Sequence, residues 1–138
     1  MSNIMFIEGK NGLLKGTFGD ITAGSNIKLA LITNGGSFTN QTQYSSIVGI
    51  NIVAGSSVIL GGKGTTTPDN TNGNKFYAGN PTITGVLSGI SVTGYIVYFD
   101  DGLTKKLISY TDSGTGLPFT TNGGNITITF SGSGVFAL

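Results

Sequence analysis

Apolar and aromatic residues are densest between Gly94 and Tyr110, where the run GYIVYFDDGLTKKLISY is broken only by a short charged turn. Val92, Ile96 and Tyr98 fall on one side of an extended strand and Tyr95, Val97 and Phe99 on the other. A stretch this rich in β-branched and aromatic residues reads as a strand covered on both faces. Asp100, Asp101 and Gly102 supply turn chemistry, because Asp tolerates unusual backbone angles and Gly accepts positive φ without a Cβ clash. From Lys105 a second strand begins, in which Ile108 and Tyr110 alternate with Leu107 and Ser109. The two predict a β-hairpin in the middle of the fold.

Elsewhere the same period of two recurs in shorter pieces. Residues 26–33 (NIKLALIT) predict a strand with Ile27, Leu29 and Leu31 on one face and Lys28, Ala30 and Ile32 on the other. Residues 44–54 and 57–60 resume β character, and Gly55 with Ser56 marks a tight turn or bulge between them. Short strands follow at 75–78 and 82–87. Residues 125–130 carry the cleanest alternation, Ile126, Ile128 and Phe130 against Thr127 and Thr129, before a last apolar strand at 135–138. Residues 3–7 (NIMFI) read as an edge strand, a swapped strand or an arm on a neighbour. Residues 9–16 (GKNGLLKG) predict at most one helical turn, and the polar stretches 37–43 and 61–74 predict loops. Eight to ten short strands joined by Gly and Asn turns describe an all-β fold. An antiparallel β-sandwich or jelly roll with little helix is the expectation.

Composition narrows the picture. A chain of 138 residues has room for one domain with a real core, expected here as an N-terminal arm or edge strand, 1–8, and a single domain, 9–138. Only 9% of residues are charged and 24 are glycine, so uncharged Ser, Thr and Asn must solvate the surface, and little charge repulsion keeps copies apart. The seven basic residues are all lysine and are scattered, which argues against a nucleic-acid partner. No apolar run approaches the ~20 residues of a spanning helix, and residues 1–8 lack the basic start of a secretory leader. A soluble protein made in the cytoplasm and lacking a membrane partner is expected. With no cysteine and no histidine, disulfides, thiol nucleophiles, the usual zinc sites and every His relay are excluded.

Each candidate for chemistry has a plainer explanation. Asp100 and Asp101 are adjacent acids, but a glycosidase needs two carboxylates opposed across a cleft, which neighbours in a turn do not provide; weak calcium binding by the turn is the better of the two site readings. Asp69, Asn70, Asn72 and Gly73 resemble a calcium loop with the wrong spacing, since Asn74 stands where its glycine belongs. Gly61, Gly62 and Gly64 before Thr65 lack the G-K-[ST] ending of a phosphate loop. The sequons at Asn40 and Asn125 are chance matches in a chain rich in Asn and Thr. Tyr95, Tyr98 and Tyr110 are expected to pack in a core or subunit interface and not to form a sugar platform.

Gly9-Lys10 followed by GLLKG, the strand KLALIT, the run YIVYFDDG, the strand LISYTDSG and the ending ITITFSGSGVFAL together resemble a family of small structural proteins of tailed bacteriophages. Members begin with a GK-containing short helix and continue through a comparable strand, central hairpin and terminal strand in this order. Phe130 stands where the family often has tryptophan, and residues 49–54 match its middle segment poorly. The resemblance implies a non-enzymatic virion protein without cofactors, sitting on the capsid exterior as a decoration or cement protein. Its partners would be the major capsid protein and further copies of itself, with a trimer favoured. Apolar chain ends usually bury against something, so Ile4, Met5, Phe6, Ile7, Val135, Phe136 and Leu138 are the expected assembly interface. Two other readings remain open. One is a virion knob or fibre module binding a surface glycan or receptor through residues 37–43 and 61–74; the other is a tail or head-to-tail connector component.

Overall fold

The computed structural model describes residues 4–33, 52–65, 75–103, 105–112, 116–130 and 135–137. Ile4–Met5 forms β1, and Ile7–Lys15 forms the helix α1. The strands that follow are β2 (Ile27–Thr33), β3 (Val58–Ile59), β4 (Gly64–Thr65), β5 (Lys75–Tyr77), β6 (Thr82–Ile83), β7 (Ser91–Asp100), β8 (Lys105–Thr111), β9 (Phe119–Thr120), β10 (Ile126–Thr127) and β11 (Phe136–Ala137). Every strand pair is antiparallel. The described residues thus form an all-β fold with one short helix. Its main sheet runs β1-β8-β7-β2-β3, with β9 also on β7, and two small sheets have the orders β10-β6 and β11-β5-β4.

The predicted hairpin is the centre of the main sheet. β2 lies along one edge of β7, from Ile27 opposite Phe99 to Thr33 opposite Val92. β8 lies along the other edge, from Thr111 opposite Tyr95 to Lys105 opposite Asp100. Phe119 then pairs with the same Val92 that Thr33 pairs with, so β9 continues the edge that β8 leaves. Both faces of β7 are buried. Val92, Tyr95, Val97 and Phe99 join Ile27, Leu29, Leu31 and Ile108 in a core that also takes in Leu60, Phe76, Ile83, Val86, Ile126, Ile128 and Val135 from the two small sheets and their flanks. Ile96 and Tyr98 join Phe6, Ala30, Ile32, Leu107 and Tyr110 in a second cluster on the opposite face.

Two register shifts change which residues share a face. One falls between Ile32 and Thr33, where β7 has Thr93 to spare, so Val92 joins Tyr95 and Val97 instead of Ile96 and Tyr98. The second lies between Val97 and Tyr98, where Ile108 is the additional residue of β8. Leu107 consequently shares a cluster with Tyr110, while Ile108 faces the other core. One additional residue in a strand of period two reverses every side chain beyond it.

Departures from the sequence expectation trace to specific packing contacts. The helix, Ile7–Lys15, is longer than one turn. Two glycines on one helical face let it pack. A Cβ on Gly9 would sit 2.6 Å from Ile108 Cα, and one on Gly12 would clash with the Phe18 ring. That ring in turn stacks on Phe99 with centroids 4.7 Å apart. The helix ends at Gly16, whose φ of 71° is left-handed, and the Thr17 N–H bonds back to the Gly12 carbonyl at 2.9 Å. β4 arises inside the stretch expected to be loop: Gly64 pairs with Tyr77, whose ring covers the glycine. Only Ile126–Thr127 of residues 125–130 is strand, yet Ile126 and Ile128 are buried and Thr127 and Thr129 exposed, as their alternation predicts. Residues 37–43, 44–51 and 66–74 lie outside the described residues.

Along the outer edge of β2, the chain departs at Val53 and returns at Val58. Ser56 fills the break. Its buried Oγ accepts the Leu31 N–H at 3.0 Å and donates to the Val53 carbonyl at 2.6 Å, standing in for a missing strand partner.

Helix propensity alone says that Gly9→Ala should stabilise α1 by about 1 kcal/mol. Packing says the reverse, because the new methyl meets β8 backbone that cannot yield cheaply. We expect a net loss of about 1–3 kcal/mol in urea unfolding. A raised unfolding midpoint would mean that α1 does not dock on β8 through this face.

Candidate functional site

The hairpin tip joins the chain's only adjacent acids to its most exposed apolar side chain among the described residues. Asp100 ends β7 with 8% of its surface exposed. Its Oδ1 accepts the Gly102 N–H at 2.9 Å, and its Oδ2 lies 3.2 Å from Lys28 Nζ and 4.0 Å from Lys105 Nζ. Lys28 reaches it diagonally from β2, and Lys105 stands directly opposite on β8. Asp101 accepts the Leu103 N–H at 2.9 Å, so each acid closes a turn over the residue two ahead. Gly102, which follows the two acids, has a φ of 91°, which a side chain would disfavour.

Burial on its own would push the Asp100 carboxyl upward. The Gly102 N–H, the hydrogen bond and charge of Lys28 and the charge of Lys105 outweigh it, holding the group below its usual 3.8. Both oxygens are thereby committed. Two ammonium groups beside the carboxylate oppose a bound cation, and the second acid faces its own turn, so neither the glycosidase nor the calcium reading gains from this geometry. What the arrangement does is stiffen the hairpin end. Leu103, 95% exposed, is held at the top of it.

The tyrosines lie where packing was expected. Tyr95, Tyr98 and Tyr110 are buried in the two clusters. Burial pushes Tyr95 up against a hydrogen bond with Thr111. Burial and the Asp112 charge push Tyr110 up to about 12 despite a hydrogen bond with Thr93. Both stay neutral across the ordinary pH range. Among the described residues no group of three His, Cys, Asp or Glu is placed to hold a metal ion, and no helix is long and apolar enough to cross a membrane.

The apolar chain ends are built into the chain's own sheets. Ile4 pairs opposite Tyr110 and Met5 opposite Ser109, with Met5 half-buried against the larger core. Phe6 is 2% exposed within the second cluster, and its N–H bonds the Ile108 carbonyl at 2.9 Å. Ile7 opens α1. Val135 is buried in the larger core, and Phe136 pairs opposite Phe76. Leu138 lies outside the described residues, as do Asp69, Asn70, Asn72, Gly73 and the sequon at Asn40. The two ends thus belong to different sheets, and Phe6 and Val135 face the interior of their own chain. Among the described residues, the large apolar side chains left exposed are Leu14 on α1, Ile59 on β3, Tyr77 on β5, Leu87 and Leu103. Leu103 could have been singled out from sequence, since a leucine between Asp-Asp-Gly and Lys-Lys at a hairpin turn has no interior to enter.

Because Asp100 is depressed in the folded chain, its contribution to stability is complete above the unfolded value near 3.8 and is lost as pH falls through the lower folded value. Asp100→Asn should therefore cost about 1–3 kcal/mol at pH 7, with the difference from the parent chain vanishing in strong acid. Urea midpoints measured across pH for both chains test this; parallel curves would show that the carboxylate charge contributes nothing.

Comparison of the chain with protein family models, curated proteins and solved structures finds no match.

Proposed function

We propose that this protein is a non-enzymatic structural component of a tailed bacteriophage virion, a decoration or cement protein that binds the assembled head from outside. One observation carries the reading. The segments KLALIT, YIVYFDDG and LISYTDSG, through which the chain resembles that family, contribute to the three neighbouring strands β2, β7 and β8 at the centre of the main sheet. The resemblance therefore lies on the framework of the fold and not on scattered loops. A sandwich of the main sheet against the two small ones is the arrangement we assign, supported by a core that draws on all three.

The mechanism is linkage. A protein that binds the assembled shell and not its separated subunits stabilises the shell by mass action. A surface with few charges and several exposed leucines suits attachment to a broad protein surface. Phe6 and Val135 already pack inside their own chain, so contact with the major capsid protein, and between copies in the favoured trimer, falls to the exposed side chains. Leu103 leads these because it is the most exposed of them and hydrogen bonds and ion pairs tie its hairpin tip together. The glycan-binding reading rests on residues 37–43 and 61–74, most of which lie outside the described residues.

Purified protein should co-sediment with empty heads of the particle it comes from and raise their melting temperature. Leu103→Asp should weaken that binding by about tenfold or more, the scale of an interface anchor, while leaving the isolated domain's unfolding unchanged. Density for the protein on the tail, six-membered rings in solution, or glycan binding with no affinity for heads would overturn the head assignment.

A further inference from the structure

We propose that Asn122 is a site of spontaneous deamidation, promoted by the turn in which it sits. Asn122 is exposed, is followed by Gly123 with φ 84°, and its side-chain Oδ1 accepts the Gly124 N–H at 2.9 Å. The reaction needs only water. The Gly123 backbone nitrogen attacks Asn122 Cγ, a new N–Cγ bond forms, and the Cγ–Nδ2 bond breaks. Ammonia leaves carrying the proton that the Gly123 nitrogen gives up. Water then opens the five-membered imide at either carbonyl, leaving aspartate or isoaspartate. Nothing is oxidised or reduced.

Three features favour this position. Gly123 has no Cβ to obstruct the approach of its nitrogen. The exposed turn admits the water that completes the reaction. The Gly124 N–H already points at the oxygen on which negative charge develops as the nitrogen attacks, so the turn stabilises the intermediate as an oxyanion donor does. The chain supplies its own contrast. Asn11 and Gly12 form the same dipeptide, but within α1, where the helical backbone carries Gly12 and the Phe18 ring covers it. Asn11 is itself exposed, but the Gly12 nitrogen that would attack it is held in the buried helical backbone.

The product matters to this chain in two ways. One new carboxylate cancels the formal net charge of +1, and a protein at zero net charge loses resistance to self-association. The isoaspartate form also lengthens the backbone next to Thr121. That residue is 4% exposed, and its Oγ1 accepts the Ile90 N–H at 2.9 Å and donates to the Leu87 carbonyl at 2.6 Å. Its backbone N–H bonds the Ile90 carbonyl and its carbonyl accepts the Gly89 N–H. A shift there loosens the link that ties residues 87–90 to the end of β9.

The test is peptide mapping by mass spectrometry of the full chain, aged at mildly alkaline pH, once folded and once in urea. In the folded chain Asn122 should convert at least about tenfold faster than Asn11, a modest share of what an oxyanion donor supplies in an enzyme, and faster than Asn122 does in urea. A folded-state rate at Asn122 equal to or below its rate in urea overturns the proposal. Asn122→Ser should remove the modified species from that peptide, and Asn122→Asp should reproduce the charge effect while keeping the Thr121 contacts, separating the two consequences.

Discussion

A strand with seven consecutive buried residues, Gly94 to Asp100, can exist only if both its faces and both its edges are covered. The architecture follows from meeting that demand for β7. β2 occupies one edge, β8 and then β9 the other, and a separate cluster forms on each face. The strand ends on a carboxylate, which is costly to bury unless it is paired. Lys28 and Lys105, one from each flanking strand, reach the same oxygen of Asp100. The charge cluster is thus a consequence of the strand's central position and ties its end to both neighbours.

Glycine does in this protein what large side chains do in others. At Gly9 and Gly94 the missing Cβ lets backbone approach strand backbone, Ile108 in one case and the Thr111 carbonyl in the other; at Gly12 and Gly64 it opens space that the rings of Phe18 and Tyr77 enter. Such positions are weak by intrinsic propensity, since glycine loses more freedom on folding than any other residue. Gly12 and Gly64 hold because an aromatic partner covers the bare backbone, the same device that rescues glycines in cross-strand pairs. A chain with few charges and many glycines can then build a dense core without long polar side chains around it.

How much of this could be read from sequence depended on whether the determinant was local. The boundaries of β7, the hairpin turn and the faces of β2 follow from period-two alternation and Asp-Gly chemistry, so they were legible. The side of Val92 and Leu107 was not, because it depends on where Thr93 and Ile108 are left without a partner across the sheet. α1 and β4 were read short or missed, since their glycines are stabilised by residues distant in sequence. At the candidate site, the turn roles of Asp100 and Asp101 were legible; Lys28, which lies 72 residues from Asp100 in the chain, could be placed only by strand register. Nothing in a one-dimensional pattern says that Phe6 packs in one cluster with Ile96 and Tyr98 of the same molecule.

The way the main sheet ends constrains how copies of the chain could associate. Its outermost strands, β1 and β3, are two residues each, and α1 packs on β8 just where β1 leaves it. On the β2 side, residues 52–60 and the Ser56 hydroxyl take up backbone groups that a visiting strand would need. Natural sheets protect themselves from edge-to-edge pairing in this manner. Strand addition to this sheet would first have to strip away contacts that hold Phe6 and Leu60 in place. Association through exposed side chains requires no such rearrangement, and a leucine standing 95% exposed on a hairpin fixed by two lysines and a carboxylate is already poised for it. If copies do meet there, low charge would make that contact cheap to form, and the short, covered edges β1 and β3 would keep it from propagating into sheet growth.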